Sequence, residues 1–127
     1  MGEKLKTKIL ITAVQLQDKI DDFQELIADY NLEVHMPPVV QQLNEFDLLE
    51  IIDPFVGVIA GDDHFTRKVL EQGKNLKVIS RWGIGTDGID HTACDELGIN
   101  IVNTPNVFTD EVADVTFGYL VCLARGL

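Results

Sequence analysis

Three closely spaced glycines, Gly83, Gly85 and Gly88, follow an apolar run at residues 76–80 and spell G-x-G-x-x-G. Glycines spaced this way let a backbone turn tightly and aim successive N–H groups at an anion, so their chemistry is the binding of a phosphate or a carboxylate. A dinucleotide site would need them after the first strand of a βαβ unit. It would also need an acid about 20 residues on, at the end of the next strand, for a ribose hydroxyl. Here the next apolar run, 99–102, ends in Asn103-Thr104-Pro105, and Ile89-Asp90 follows the third glycine, so the helix starts after the motif rather than within it. A pyrophosphate therefore fits poorly. A purely structural turn and a cradle for a small anion remain, and Gly83 and Gly85 flanking Ile84 favour the cradle. Arg81 is either a member of the site or a solvent-facing strand end. Trp82, the single tryptophan, is either a lid over a small ligand or a plug at an interface.

Other chemistries have less to work with. His35, His64 and His91 are scattered and show no paired spacing, so no metal site is expected. Cys94 and Cys122 form no C-x-x-C motif, and both sit among apolar residues in helical patterns. They are expected as buried free thiols in a reducing cytoplasm. With 21 acidic residues against 10 basic ones the formal charge is −11, which repels nucleic acid and anionic membrane. The longest nearly uncharged apolar run, 115–124, is shorter than the roughly 20 residues of a membrane span. Residues 1–6 lead straight into a strand, with no signal-peptide core.

The elements that must position the glycine loop alternate along the sequence. Residues 8–13, 32–36, 56–60, 76–80 and 99–102 read as short strands, the first a nearly continuous apolar run of the kind buried on both faces. Between them the spacing predicts helices over 18–30, with Ile20, Phe23, Leu26 and Ile27 as its stripe, and over 41–51, 65–72 and 91–97. Asp90 is placed to cap the last of these, Gly98 to close it, and Gly73 to end the one before. Strand and helix in alternation with short connections predict an α/β fold, a flavodoxin-like doubly wound five-stranded parallel sheet over residues 1–107. In such a sheet ligands bind beyond the carboxyl ends of the strands. The glycine loop, Gly61-Asp62-Asp63 and Asn103-Thr104-Pro105 all lie at such ends. A last helix, 109–125, is expected to be capped by Thr109 and stopped by Arg125-Gly126. Its apolar residues point all round, so the sheet is expected to cover one side only and another domain or another copy to cover the rest.

Residues 75–90, then Gly98-Ile-Asn-Ile-Val-Asn-Thr-Pro105, Asp110-Glu-Val-Ala-Asp114 and Leu123-Ala-Arg125, resemble the D-isomer-specific 2-hydroxyacid dehydrogenases, those like phosphoglycerate dehydrogenase above all. The resemblance is continuous from about residue 58 to 125; residues 1–55 agree in pattern only. It implies the substrate-binding portion of an NAD-dependent oxidoreductase that transfers hydride between NAD and a D-2-hydroxy acid of the phosphoglycerate, hydroxypyruvate or glyoxylate kind. Gly83, Ile84 and Gly85 would offer amides to the substrate carboxylate, with Trp82, Gly61 and Asp62 lining the same pocket. Thr109 would face the cofactor cleft, and residues 108–127 would lead to an NAD-binding Rossmann domain; the uncovered apolar helix 109–125 is separately expected to form a homodimer interface. The family's catalytic Arg, Glu and His lie downstream of this helix. His35, His64, His91, Arg81 and Arg125 do not occupy those positions, so the 127-residue chain is expected to be inactive alone. Two alternatives are a stand-alone module binding small acids and a receiver-like signalling domain. The latter would need acids directly after the first strand and a Lys after the fifth, where Thr12-Ala13-Val14 and Asn103-Thr104-Pro105 stand.

Overall fold

The computed structural model describes residues 5–127. Five parallel strands, β1 (Thr7–Ile11), β2 (Leu32–His35), β3 (Gly57–Ala60), β4 (Val78–Arg81) and β5 (Asn100–Val102), form one sheet in the order β2-β1-β3-β4-β5. Ile9 lies between Val34 and Gly57, and Ile79 between Val58 and Ile101, so apolar residues stand beside one another across the sheet. This is the doubly wound architecture that the alternating pattern predicts.

Successive side chains of a strand point to opposite faces, which divides the apolar residues into two layers. On one face Leu10, Val58 and Ile79 pack with Leu48 and Ile52 of α3 (Glu45–Ile51) and its end, Val69 and Leu70 of α4 (Arg67–Gln72), and Ala93 and Cys94 of α5 (His91–Leu97). Most of these are fully buried. On the other face a smaller cluster, Ile11, Ala13 and Leu16, carries α1 (Val14–Gln17). The helix expected over 18–30 is instead a 3₁₀ turn at Ile20–Phe23 followed by α2 (Gln24–Asp29). Leu16 is anchored on the sheet, and the Gln17 amide donates to the carbonyls of Ile11 and Pro37, which fixes the first turn before the backbone changes direction. Phe23 and Leu26 consequently stay exposed along an apolar groove of about 330 Å³, whose other walls include Ile9, Ile59 and Trp82.

Local chemistry corrects several boundaries. α3 starts at Glu45 rather than 41 because Asn44 and Asp47 form a reciprocal capping box, with Asn44 Oδ1 accepting from Phe46 N (2.8 Å) and Asp47 N (3.2 Å). Gly73 ends α4 with φ of −76°, not a left-handed one. A side chain there would press on Ile52 Cγ1 at 3.2 Å, so the need for glycine is one of packing. Asp90 caps α5 through Ala93 N (2.9 Å), and Gly98 closes it in the left-handed region, both as expected. In α6 (Thr109–Arg125) the cap position belongs to Phe108, and Thr109 is the first helical residue with no capping bond. No residue of α6 is buried, so the sheet does not cover even one side of it.

The two cysteines also part company: Cys122 is exposed on α6, whereas Cys94 is buried in the main core. Burial, helped by Asp90 and Asp95, pushes the Cys94 thiol up from its ordinary 9.0 to about 11. Between those values the unfolded protein has lost a proton that the folded protein keeps. The contribution to stability is therefore whole below pH 9 and gone once the pH passes 11. At pH 8 a thiol reagent should modify Cys122 at once and Cys94 only as fast as the domain unfolds. The urea midpoint should fall between pH 8 and pH 10.5, and fall less in Cys94→Ala.

Candidate functional site

In a sheet of this order the ligand crevice opens between β1 and β3, where the winding reverses. Here the protein fills that crevice itself. Asp63 and Thr12 are almost wholly buried. The Asp63 carboxylate accepts from Thr12 Oγ1, from Leu43 N (2.7 Å) and from Gly61 N (3.0 Å). A Cβ on Gly61 would stand 3.3 Å from the Thr12 carbonyl, so the two strand ends close on each other. The opening is displaced to the ends of β3 and β4. There a polar cleft of about 300 Å³ is lined by Gly61, Asp62, Arg81, Gly85, Thr86 and Asp87, together with Gln42 and His64.

Arg81 is the last residue of β4, and its side chain is only 15% exposed. Its guanidinium donates to the Asp62 carboxylate and to the Trp82 carbonyl. It also lies over Gly83, where a Cβ would meet Nη1 at 3.1 Å. Gly83 has φ of +139°, so both conformation and close approach call for glycine. The loop is held by its carbonyls: Gly83 C=O accepts from Thr104 N (2.9 Å), and Ile84 C=O from Asn103 Nδ2 (2.8 Å). Gly83 N–H is engaged too, by the Arg81 carbonyl at 3.0 Å. Among the described residues the N–H groups of Ile84 and Gly85 make no hydrogen bond, and the Asp87 carboxylate stands beside Gly85. Carbonyls tied back and adjacent amides left open thus stand beside a guanidinium.

Gly88 has a different duty. A Cβ there would collide with the Asp63 carbonyl at 2.8 Å, and Gly88 C=O accepts from Phe65 N (2.9 Å). At Gly85 a Cβ would meet only the exposed Asp87 carboxylate, at 3.0 Å. The dinucleotide pattern is thus nominal. Its third glycine packs the loop against β3's exit, the first turn of α5 is already capped by Asp90, and β5 runs into Asn103, whose amide is bound to Ile84. These residues do not fit a pyrophosphate.

Of the residues expected in the pocket, Gly61, Asp62 and Gly85 line the cleft, whereas Gly83 and Ile84 precede Gly85 in the loop and do not line it. Trp82 does not line it. It is 39% exposed and lines the apolar groove along Ile9, Ile59 and Phe23 instead. Thr109 opens α6, well exposed. Three residues carry weight that the sequence did not disclose: Asp63 as the buried tie, and Gln42 and His64, whose Nε2 atoms lie 3.3 Å apart beside the cleft. Only the doubled acid at Gly61-Asp62-Asp63 could have hinted at the first. Among the described residues no group of three His, Cys, Asp or Glu side chains is arranged to hold a metal ion, and no helix is long and apolar enough to cross a membrane.

Fold and site together define a doubly wound α/β domain with a polar cleft beyond the ends of β3 and β4. Residues 9–119 match the family model of the D-isomer specific 2-hydroxyacid dehydrogenase, catalytic domain, and the chain belongs to that family. It is 36% identical over 121 residues to a D-3-phosphoglycerate dehydrogenase of Methanocaldococcus jannaschii, covering 94% of this chain and 22% of that protein. To a hydroxypyruvate reductase of Thermotoga maritima it is 37% identical over 115 residues, covering 88% of this chain and 36% of the other. The crystal structure of a 3-phosphoglycerate dehydrogenase of Entamoeba histolytica with NAD+ bound superposes with a TM-score of 0.76 at 26% identity, over 93% of this chain and 39% of that one. The chain therefore spans well under half of the relatives it matches.

The two glycines can be told apart by stability. Gly88→Ala should cost about 2 kcal/mol in urea denaturation, because backbone must move. Gly85→Ala should cost less than about 1 kcal/mol, because only a carboxylate has to swing aside.

Proposed function

We propose that this chain is the substrate-binding part of an NAD-dependent D-2-hydroxyacid dehydrogenase, and that Ile84 and Gly85 hold the substrate carboxylate. The observation that carries this is the pair of open amides beside Arg81, in a loop whose carbonyls are all but spoken for. A carboxylate seated there would accept two backbone N–H bonds and lie near a guanidinium, while Gly61 and Asp62 shape the wall next to it. The cradle would thereby fix the substrate's C1 end and leave C2 facing outward from the strand ends. That is binding and orientation. No residue of the cleft is assigned the proton that accompanies hydride transfer, and no catalytic residue is proposed in this chain.

The relatives named above supply the substrate class, 2-hydroxy and 2-keto acids such as 3-phosphoglycerate and hydroxypyruvate, and the Entamoeba structure supplies NAD. The redox chemistry would belong to that cofactor. Residues 1–107 would form the substrate domain and 108–127 the helix leading toward an NAD-binding domain, with Thr109 at the cofactor side. The exposed apolar side chains of α6, among them Val112, Phe117, Leu120 and Leu123, support a homodimer built on this helix. Two unpaired thiols support a cytoplasmic location.

Glycolate or pyruvate should bind weakly to the protein in calorimetry and lose that binding in Gly85→Val. Unchanged binding in the variant would remove the cradle. Sedimentation at micromolar concentration should give a dimer, reduced to a monomer when Phe117 and Leu120 are replaced by Glu. A monomeric parent protein would remove the proposed role of α6.

A further inference from the structure

We infer that Asp62 sets the charge of the substrate this cleft accepts, admitting small 2-hydroxy or 2-keto acids with an uncharged polar tail and rejecting phosphorylated ones; this rests on the carboxylate cradle proposed above. The charged side chains lining the cleft are Asp62, Asp63, Asp87 and Arg81. Arg81 is the one cation among them, and its guanidinium is divided between Asp62 and the Trp82 carbonyl. The adjoining hollow adds Arg67, but Arg67 is paired with Glu96 (2.6 Å) and Glu71 (3.8 Å). Lys68, next along α4, is paired with Glu45 (3.6 Å). Each cation near the site thus already faces a carboxylate.

A phosphate monoester brings a charge of about −1.5 to −2 and is bound where arginines or lysines stand unmatched. A substrate carboxylate in the cradle would draw on the two amides and on what remains of Arg81. A second anionic group, carried two or three atoms away, would then lie against Asp62 and Asp87 with no unmatched cation to meet it. A hydroxyl is better served, since Gln42, His64 and Thr86 line the same cleft and offer donors and acceptors. The relatives' names include both a phosphoglycerate dehydrogenase and a hydroxypyruvate reductase, so kinship leaves the choice open and the charge of this cleft makes it. Because the Asp62 side chain is 67% exposed, the discrimination should be modest and should shrink with added salt.

The test is a calorimetric titration of the parent protein and of Asp62→Asn with D-glycerate and with 3-phosphoglycerate at matched low ionic strength, with circular dichroism to verify the fold. The parent protein should bind D-glycerate about tenfold more tightly than 3-phosphoglycerate. Asp62→Asn removes the repelling charge and frees Arg81 for either acid, so both should bind more tightly, 3-phosphoglycerate by about tenfold more than D-glycerate, and the gap between them should close. Equal or tighter binding of 3-phosphoglycerate by the parent protein, or a gap that survives in Asp62→Asn, would overturn the role of Asp62 and leave the cradle standing. Failure of both acids to bind either protein would overturn the cradle, and the role of Asp62 with it.

Discussion

The buried carboxylate of Asp63 closes the crevice between β1 and β3 by gathering the Thr12 hydroxyl and the amides of Gly61 and Leu43. A buried acid is tolerated only when its oxygens are fully bonded, and leaving such a group or its donors unpaired costs a few kcal/mol, about 1–3 for each neutral donor. With that knot in place the strand ends of β1 and β3 cannot part to admit a ligand. The same knot sets the Gly61-Asp62 turn, which in turn presents Asp62 to Arg81. The position of the cleft, one strand over from the winding reversal, follows from where this acid is buried.

On the other wall the glycine loop divides its labour. Gly88 lets the loop lie against the Asp63 backbone, Gly83 takes the left-handed turn under the Arg81 guanidinium, and Gly85 leaves an amide open at the cleft. Asn103 and Thr104, from the end of β5, hold the loop's carbonyls and so decide which of its groups face outward. Three strand ends thereby cooperate in one small concavity, none of them able to form it alone. Arg81 links the two walls, bonding Asp62 on one side and covering Gly83 on the other.

The alternation of strands and helices was legible because burial on both sheet faces demands continuous apolar runs, and because Asp90 and Gly98 are unambiguous helix signals. Periodicity failed where tertiary anchoring overrode it. Residues 18–30 have a helical stripe, yet Leu16 and Gln17 fix the preceding turn and break the helix. Asn44 with Asp47 moved the start of α3, a capping box that an apolar stripe does not reveal. The three-glycine spacing was visible, and so was its mismatch with a pyrophosphate. That Gly88 is a packing glycine, that Trp82 lines the apolar groove, and that Arg81 lines the polar cleft all depend on side-chain contacts between β3 and β4, which sequence spacing cannot supply.

In the proposed cradle the amides of Ile84 and Gly85, and not that of Gly83, receive a carboxylate. An amide-resolved NMR titration of the protein with glycolate addresses this directly. The Ile84 and Gly85 N–H resonances should move downfield together and saturate at one concentration, while Gly83, already bonded to the Arg81 carbonyl, moves little. Shifts centred elsewhere, or a Gly83 resonance that moves as far as the other two, would contradict the account.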